Sequence, residues 1–361
     1  MIDRGEVVGV RRALVVLVVL AGHVLLGPLG TALAQDTAPA PGRVALIGVP
    51  GLHWDDVTHA ESPNLWELAG HSAIGSLSVR TVSNITCPYD GWLTVSAGTR
   101  SAAGYSCGAP PAPETRGEGA VIPDYRYLID VAGQRNAGTL GESLKAAGQC
   151  SIAIGPGAAL ALADRQGEVP RYRASPLQVQ TADLQQCRMI AMDVDDLVRP
   201  YLASGKLPKV PEALSPQERR DAQRLADAKA GALLSILPPD TTVLLAGLSD
   251  HGSVPHLRVA AMRAQGAQGR PLGAASTHRD DISILPDLTA TVLTTLGVAV
   301  PATVVGVPLQ TGAPGVTIDE LRRADATAQT IRSIKGVYFT VVAVLQVLFY
   351  VIAFLLLRRR R

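Results

Sequence analysis

The chain is poor in charge imbalance, in aromatic residues and in cysteine. Its 361 residues carry 33 Lys plus Arg against 31 Asp plus Glu, a formal net charge of +2, and part of the excess is the terminal cluster Arg358–Arg361. A near-balanced charge without a basic stripe excludes a nucleic-acid footprint. No internal repeat and no low-complexity block occurs, so repeat architectures are excluded as well. Aromatics are 4% of residues, and the abundance of Ala, Gly and Pro resembles a GC-rich bacterial proteome. There are only four cysteines, Cys87, Cys107, Cys150 and Cys187, with no Cys-x-x-Cys spacing, which disfavours a zinc-thiolate site. An even count suggests two disulfides in an oxidising compartment. Three connectivities are open; Cys87 with Cys107 and Cys150 with Cys187 is favoured, because Cys150 and Cys187 each open a predicted strand and can meet at matching ends.

Both ends of the chain carry long apolar runs. Arg4, Arg11 and Arg12 precede an apolar stretch from Ala13 to Leu26, then Pro28 and Ala32-Leu33-Ala34. That order is a secretory signal over residues 1–34 with cleavage after Ala34, the alternative being an uncleaved signal anchor. Gly336 to Leu357 has Gln346 as its only strongly polar side chain and stops at four arginines. As a helix it covers about 33 Å, enough to cross a bilayer. Basic residues favour the cytoplasmic side, which places 358–361 inside and the intervening chain outside a cell membrane. The expected organisation is a leader at 35–43, an exported domain at 44–310, a polar linker at 311–335 and a transmembrane helix at 336–357.

Within 44–310, apolar runs alternate with helical signals. Val44–Val49, Leu77–Val82, Ser151–Ile154, Met189–Val194, Thr242–Ala246 and Arg258–Met262 read as strands. Helices are expected from Ser62-Pro63 to Gly70, over Leu140–Ala147, from the capping box at Ser215 to about Leu237, and over Asp287–Leu296. The expected fold is α/β, a doubly wound, mainly parallel sheet covered by helices, plus a terminal transmembrane helix.

Three segments carry residues suited to chemistry. Asp250-His251 follows an apolar strand and enters a Gly turn, where open α/β sheets assemble ligand sites, and Asp with His suits a divalent metal such as zinc. Thr86-Cys87-Pro88 opens a short helix closed by small residues. His278 lies in a polar loop before Leu285-Pro286-Asp287-Leu288-Thr289-Ala290. In this order the segments resemble the alkaline phosphatase superfamily, which includes phosphodiesterases, sulfatases and phosphoglycerol transferases. The resemblance implies Thr86 as nucleophile, Asp250 and His251 as ligands of one divalent metal and His278 as a ligand of another, with Asp193 as a further candidate ligand. Two departures stand out. Pro50 occupies the position of the family's metal-binding Asp after the first strand, and Asp193-Val194-Asp195-Asp196 has no nearby His. Asp55 or Asp56 is the candidate replacement for the missing carboxylate.

Each residue has a plainer reading: Thr86 as a turn residue beside a disulfide, His256 and His278 as loop histidines, Asp90 as a helix cap. Two functions are therefore open. One is a membrane-anchored, metal-dependent hydrolase or transferase acting on phosphate or sulfate esters of the cell envelope. The other is a catalytically degenerate relative that binds or scaffolds envelope components.

Overall fold

The computed structural model describes residues 42–83, 85–103, 108–130, 132–202, 214–250, 252 and 254–360. The expected signal sequence lies outside the described residues, as do His251 and Cys107.

The strands, in chain order, are β1 (Arg43–Gly48), β2 (Ala73–Ser78), β3 (Glu114–Arg116), β4 (Gly119–Val121), β5 (Ser151–Ile154), β6 (Glu168–Val169), β7 (Tyr172–Arg173), β8 (Met189–Asp193), β9 (Thr241–Ala246), β10 (Leu257–Arg263), β11 (Leu272–Gly273), β12 (Ile282–Ile284) and β13 (Gln310–Thr311). Eight of them form one sheet in the order β12-β2-β10-β9-β1-β8-β5-β7. Within it β10 alone runs antiparallel to its neighbours; every other pairing is parallel. The α/β architecture with a mainly parallel sheet is as expected from the continuous apolar runs, which suit strands buried on both faces.

Alternation along β1 shows how both faces are covered. Val44 and Leu46 point into one apolar cluster with Trp92, Leu93, Leu140, Leu160 and Leu288. Ala45 and Ile47 point into another with Leu65, Leu68, Leu184, Ala226 and Leu233. Because side chains on a strand alternate with period two, one central strand feeds both cores. The first cluster is closed by the helices Pro88–Ala97, Thr139–Ala146, Pro156–Leu162 and Leu285–Thr295, the second by Pro63–Gly70, Thr181–Gln186 and Pro216–Leu234. The Ser215–Glu218 capping box forms reciprocally at the start of the last of these.

Three local expectations are corrected. The strand expected at Leu77–Val82 runs instead over Ala73–Ser78, where it pairs with β10 and β12; Val79 onward leaves the sheet and supplies a carbonyl to Thr86. Ser62, expected to cap the helix at Pro63, instead turns its hydroxyl to donate to the Asp56 carbonyl at 2.7 Å. The expected linker at 311–335 is mostly helix: a single helix spans Ile318–Arg359, 42 residues, opened by a Thr317–Glu320 capping box. Its first turns are docked. Leu321 is buried, and the Arg322 guanidinium donates to the carbonyls of Trp54 and Val57 at 3.0–3.2 Å. From Val337 the apolar side chains are exposed, and by length and composition this helix is able to cross a membrane.

The Cys150–Cys187 disulfide is present, where β5 and β8 begin side by side with Ser151 opposite Met189. Cys87 is also disulfide-bonded.

Candidate functional site

The parallel strands β1, β8 and β9 end on one edge of the sheet; Asp193 closes β8, and the loops after β1 and β9 carry Pro50 and Asp250. Because β10 runs antiparallel, its first residues return to that same edge. This brings Arg258, the second residue of β10, to Asp250. The Arg258 Nη2 donates to Asp250 Oδ1 at 2.6 Å and Nη1 donates to the Gly51 carbonyl at 3.1 Å. Both side chains are sealed from solvent, at 0% and 1% exposure. Burial pulls the guanidinium pKa down, and Asp250 opposes the shift. The other Asp250 oxygen accepts the Thr86 amide at 3.0 Å, and the His256 amide approaches Oδ1 at 3.3 Å. The carboxylate thus has a cation and two backbone donors arranged around it.

Thr86 and Asp250 are brought together, as the family resemblance implies, but through the Thr86 backbone. The Asp250 amide also donates to the Thr86 carbonyl at 2.8 Å. The Thr86 hydroxyl donates to the Val79 carbonyl at 2.6 Å and accepts the Thr81 amide at 3.2 Å. It is fully buried. A nucleophile needs access and a partner that takes its proton; this hydroxyl instead ties the loop after β2 to itself.

Asp193, opposite Gly48 in register at the end of β8, has its own partners. Trp92 Nε1 donates to Oδ1 at 3.0 Å and the Gly157 amide to Oδ2 at 2.8 Å. Part of the residue reaches solvent, yet the carboxyl oxygens are enclosed by the indole and the Pro156–Leu162 helix. Burial, reinforced by the charge of Asp195, pushes this carboxyl up to about 7. The approach is so close that a Cβ on Gly48 would come 2.3 Å from Trp92 Cζ2, and one on Gly157 2.0 Å from Trp92 Nε1. Glycine is required at both because the indole lies against the backbone.

The remaining predicted residues go elsewhere. Asp56 is bound by the Arg219 guanidinium and by Gln223 Nε2 at 2.8 Å, so its carboxylate is already engaged. Asp55 is exposed beside Arg322. His278 lies in the left-handed region at φ 54° and lines a separate cleft of about 350 Å³ with Asp280 and Gln310. Asp287 ties together Ser276, Ile284 and Val307 through 2.7–2.9 Å hydrogen bonds. Asp90 accepts the Ala103 amide at 2.7 Å, and burial raises its pKa to about 6.

A two-metal site of the kind the resemblance implies asks for carboxylates and imidazoles with free lone pairs facing one space. Among the described residues the donor set does not fit. Asp250 is matched to Arg258, Asp193 to Trp92 and Gly157, Pro50 offers no ligand, and His278 sits in another cleft.

Sequence reasoning missed Arg258 and Trp92. Arg258 sits in an apolar strand, and a buried arginine there requires a buried acid nearby, which was the available signal. It also read His256 as a loop histidine and did not join it to His53 and Asp325, although the ligand atoms of the three all lie within 4.8 Å of one another. Asp325 falls in the stretch that read as linker, so nothing in the linear pattern joined it to the two histidines.

No family model matches the chain, and no curated protein matches it in sequence. Among solved structures it is similar to a protein of the alkaline phosphatase superfamily from Vibrio parahaemolyticus, with 14% identity over 74% of this chain and 69% of that one and a TM-score of 0.45. It is also similar to a candidate sulfatase from Bacteroides thetaiotaomicron, with 14% identity over 74% and 73% and a TM-score of 0.44. A third similarity is to the murine ectonucleotide pyrophosphatase/phosphodiesterase 5, with 13% identity over 57% and 56% and a TM-score of 0.37. In its own right the chain is an α/β protein with a mainly parallel sheet, a buried Asp–Arg pair at the strand ends and a long apolar C-terminal helix.

Proposed function

We propose that this chain is a non-catalytic binding module held at the outer face of the cell membrane by its C-terminal helix, with an ester-hydrolase-like arrangement converted to a structural one. One observation carries the reading: the Arg258 guanidinium neutralises Asp250 inside the protein. A buried carboxylate already matched by a fixed cation gains little from a metal, and binding one would set the metal's charge against the arginine's. The buried hydroxyl of Thr86 supports the same reading.

The ligand class is suggested by the neighbouring cavity of about 630 Å³, which Arg80, His256, Arg332 and Lys335 line. Lys335 directly precedes the apolar run, so the cavity belongs to the part of the chain next to the bilayer. Cations at this level suit a phosphate-bearing envelope component.

The test is hydrolysis by the purified full chain in detergent of a chromogenic phosphodiester and a chromogenic sulfate ester, with added zinc. Turnover at the level of buffer, unchanged in Thr86→Val, is the expected result. Turnover that Thr86→Val removes would establish the hydrolase reading instead.

A further inference from the structure

Beside the Asp250–Arg258 pair, three elements distant in sequence converge on one point. His53 follows β1, His256 immediately precedes β10, and Asp325 lies on the second turn of the C-terminal helix. The His53 and His256 rings stand 4.7 Å apart, tilted by 59°. His256 Nδ1 is 2.7 Å from Asp325 Oδ2, and a ligand atom from each of the three lies within 4.8 Å of the other two. All three residues are half-buried.

We propose that His53, His256 and Asp325 form a binding site for one zinc ion that fastens the juxtamembrane helix to the strand-end loops. Two imidazoles and one carboxylate are a donor set zinc accepts, with bonds of about 2.0–2.2 Å and a fourth position left to water. Tetrahedral bonds of that length put ligand atoms about 3.3 Å apart, so closing the set draws them in from the 4.8 Å within which they now lie. His256 also lines the cavity of about 630 Å³, which gives water and ions a route to the site.

The surroundings hold the ligands in place. Asp325 Oδ1 accepts the Leu257 amide at 2.8 Å, with Gln329 Nε2 at 3.5 Å, so the carboxylate is anchored by the residue next to His256. The His53 amide donates to Asp56 Oδ2 at 2.9 Å, and Asp56 is clamped by Arg219. Arg322, one turn before Asp325, directs its charge at the Trp54 and Val57 carbonyls. Such outer partners orient metal ligands and preserve their basicity. Two of the three ligands sit on loops of the sheet edge and the third on the helix, so the ion adds a cross-link between helix and domain to the Leu321 contact and the hydrogen bonds of Arg322, Asp325 and Gln329.

Zinc titration of the untagged full chain in detergent, by calorimetry and by the visible spectrum of the cobalt-substituted protein, tests this. Expected is one ion per chain, with affinity reduced at least about tenfold by each of His53→Gln, His256→Gln and Asp325→Asn and unchanged by His278→Gln. Metal-free thermal melts of the four variants matching the parent show that the loss is one of ligation, not folding. His53 bears least on the Asp325 hydrogen bonds, so His53→Gln is the decisive variant should either of the others misfold. No zinc taken up at micromolar free metal, or binding indifferent to His53→Gln, overturns the proposal.

Discussion

Replacing Arg258 by Met removes the guanidinium that donates to Asp250 while keeping most of the buried volume, and the structure sets the size of the effect. The pair is bonded at 2.6 Å with both side chains at or below 1% exposure. With charge centres about 4 Å apart and an effective dielectric of about 20, the attraction is about 4 kcal/mol. Removing one partner of a buried pair leaves the other charge uncompensated and costs about 3–5 kcal/mol. The two backbone donors from Thr86 and His256 stay in place and bring the expectation toward the lower end of that range. Arg258→Met should therefore cost about 3 kcal/mol or more, whereas Arg258→Met combined with Asp250→Leu should recover most of the loss, since an apolar pair can substitute for a buried ionic one. Arg258→Lys should fall between, because an ammonium cannot reach both Asp250 and the Gly51 carbonyl in the fork geometry. Denaturant unfolding of the full chain in detergent, followed by tryptophan fluorescence, measures all three; Trp92, buried beside Asp193, is a native reporter. A loss below about 1 kcal/mol for Arg258→Met, or a double variant no better than the single, would refute the reasoning.

The remaining expectations concern other parts of the molecule. Asp193 has an unfolded-state pKa of 3.8 and a native one of about 7, so between those values the native state keeps a proton the unfolded chain has lost. Its contribution is full below the lower value and disappears as pH rises through the upper one, with a slope of at most about 1.4 kcal/mol per pH unit; Asp193→Asn should flatten stability between pH 4 and 7 in denaturant titrations. Gly157→Ala should cost about 1–3 kcal/mol, since its Cβ would overlap Trp92 and Asp193, and a change in tryptophan emission should accompany it. Removing the Cys150–Cys187 bond, which closes a 37-residue separation, should lower stability by about 3–4 kcal/mol in the double Ser variant, and an unchanged melting temperature would contradict this. Leu321→Ala empties a buried contact of the C-terminal helix and should cost about 2–5 kcal/mol of local stability, read as faster amide exchange over 318–330 with the sheet unaffected.

The elements legible in the sequence were those with strong local signals. Ser151–Ile154 is a strand over the expected residues, Ser215-Pro216-Gln217-Glu218 does open a helix, and the two cysteines at the starts of neighbouring strands are bonded. Where the expected strand continued past the sheet, at Val79–Val82, pattern could not tell a paired residue from one that leaves the edge, because pairing is made by β10 and β12 far along the chain. The polar run after Thr317 read as a linker because a single buried leucine gives no apolar period, its docking resting otherwise on polar contacts from Arg322, Asp325 and Gln329.

Sequence alone therefore determined the alternating α/β class and the apolar terminal helix, since these follow from local periodicity and from run length. Only the tertiary structure decided what the candidate site residues do. The antiparallel return of β10 is a long-range pairing that carries Arg258 onto Asp250, and the docking of the C-terminal helix carries Asp325 onto His53 and His256. A charge's role depends on what shares its desolvated space, and that is set by contacts between segments rather than by neighbours along the chain.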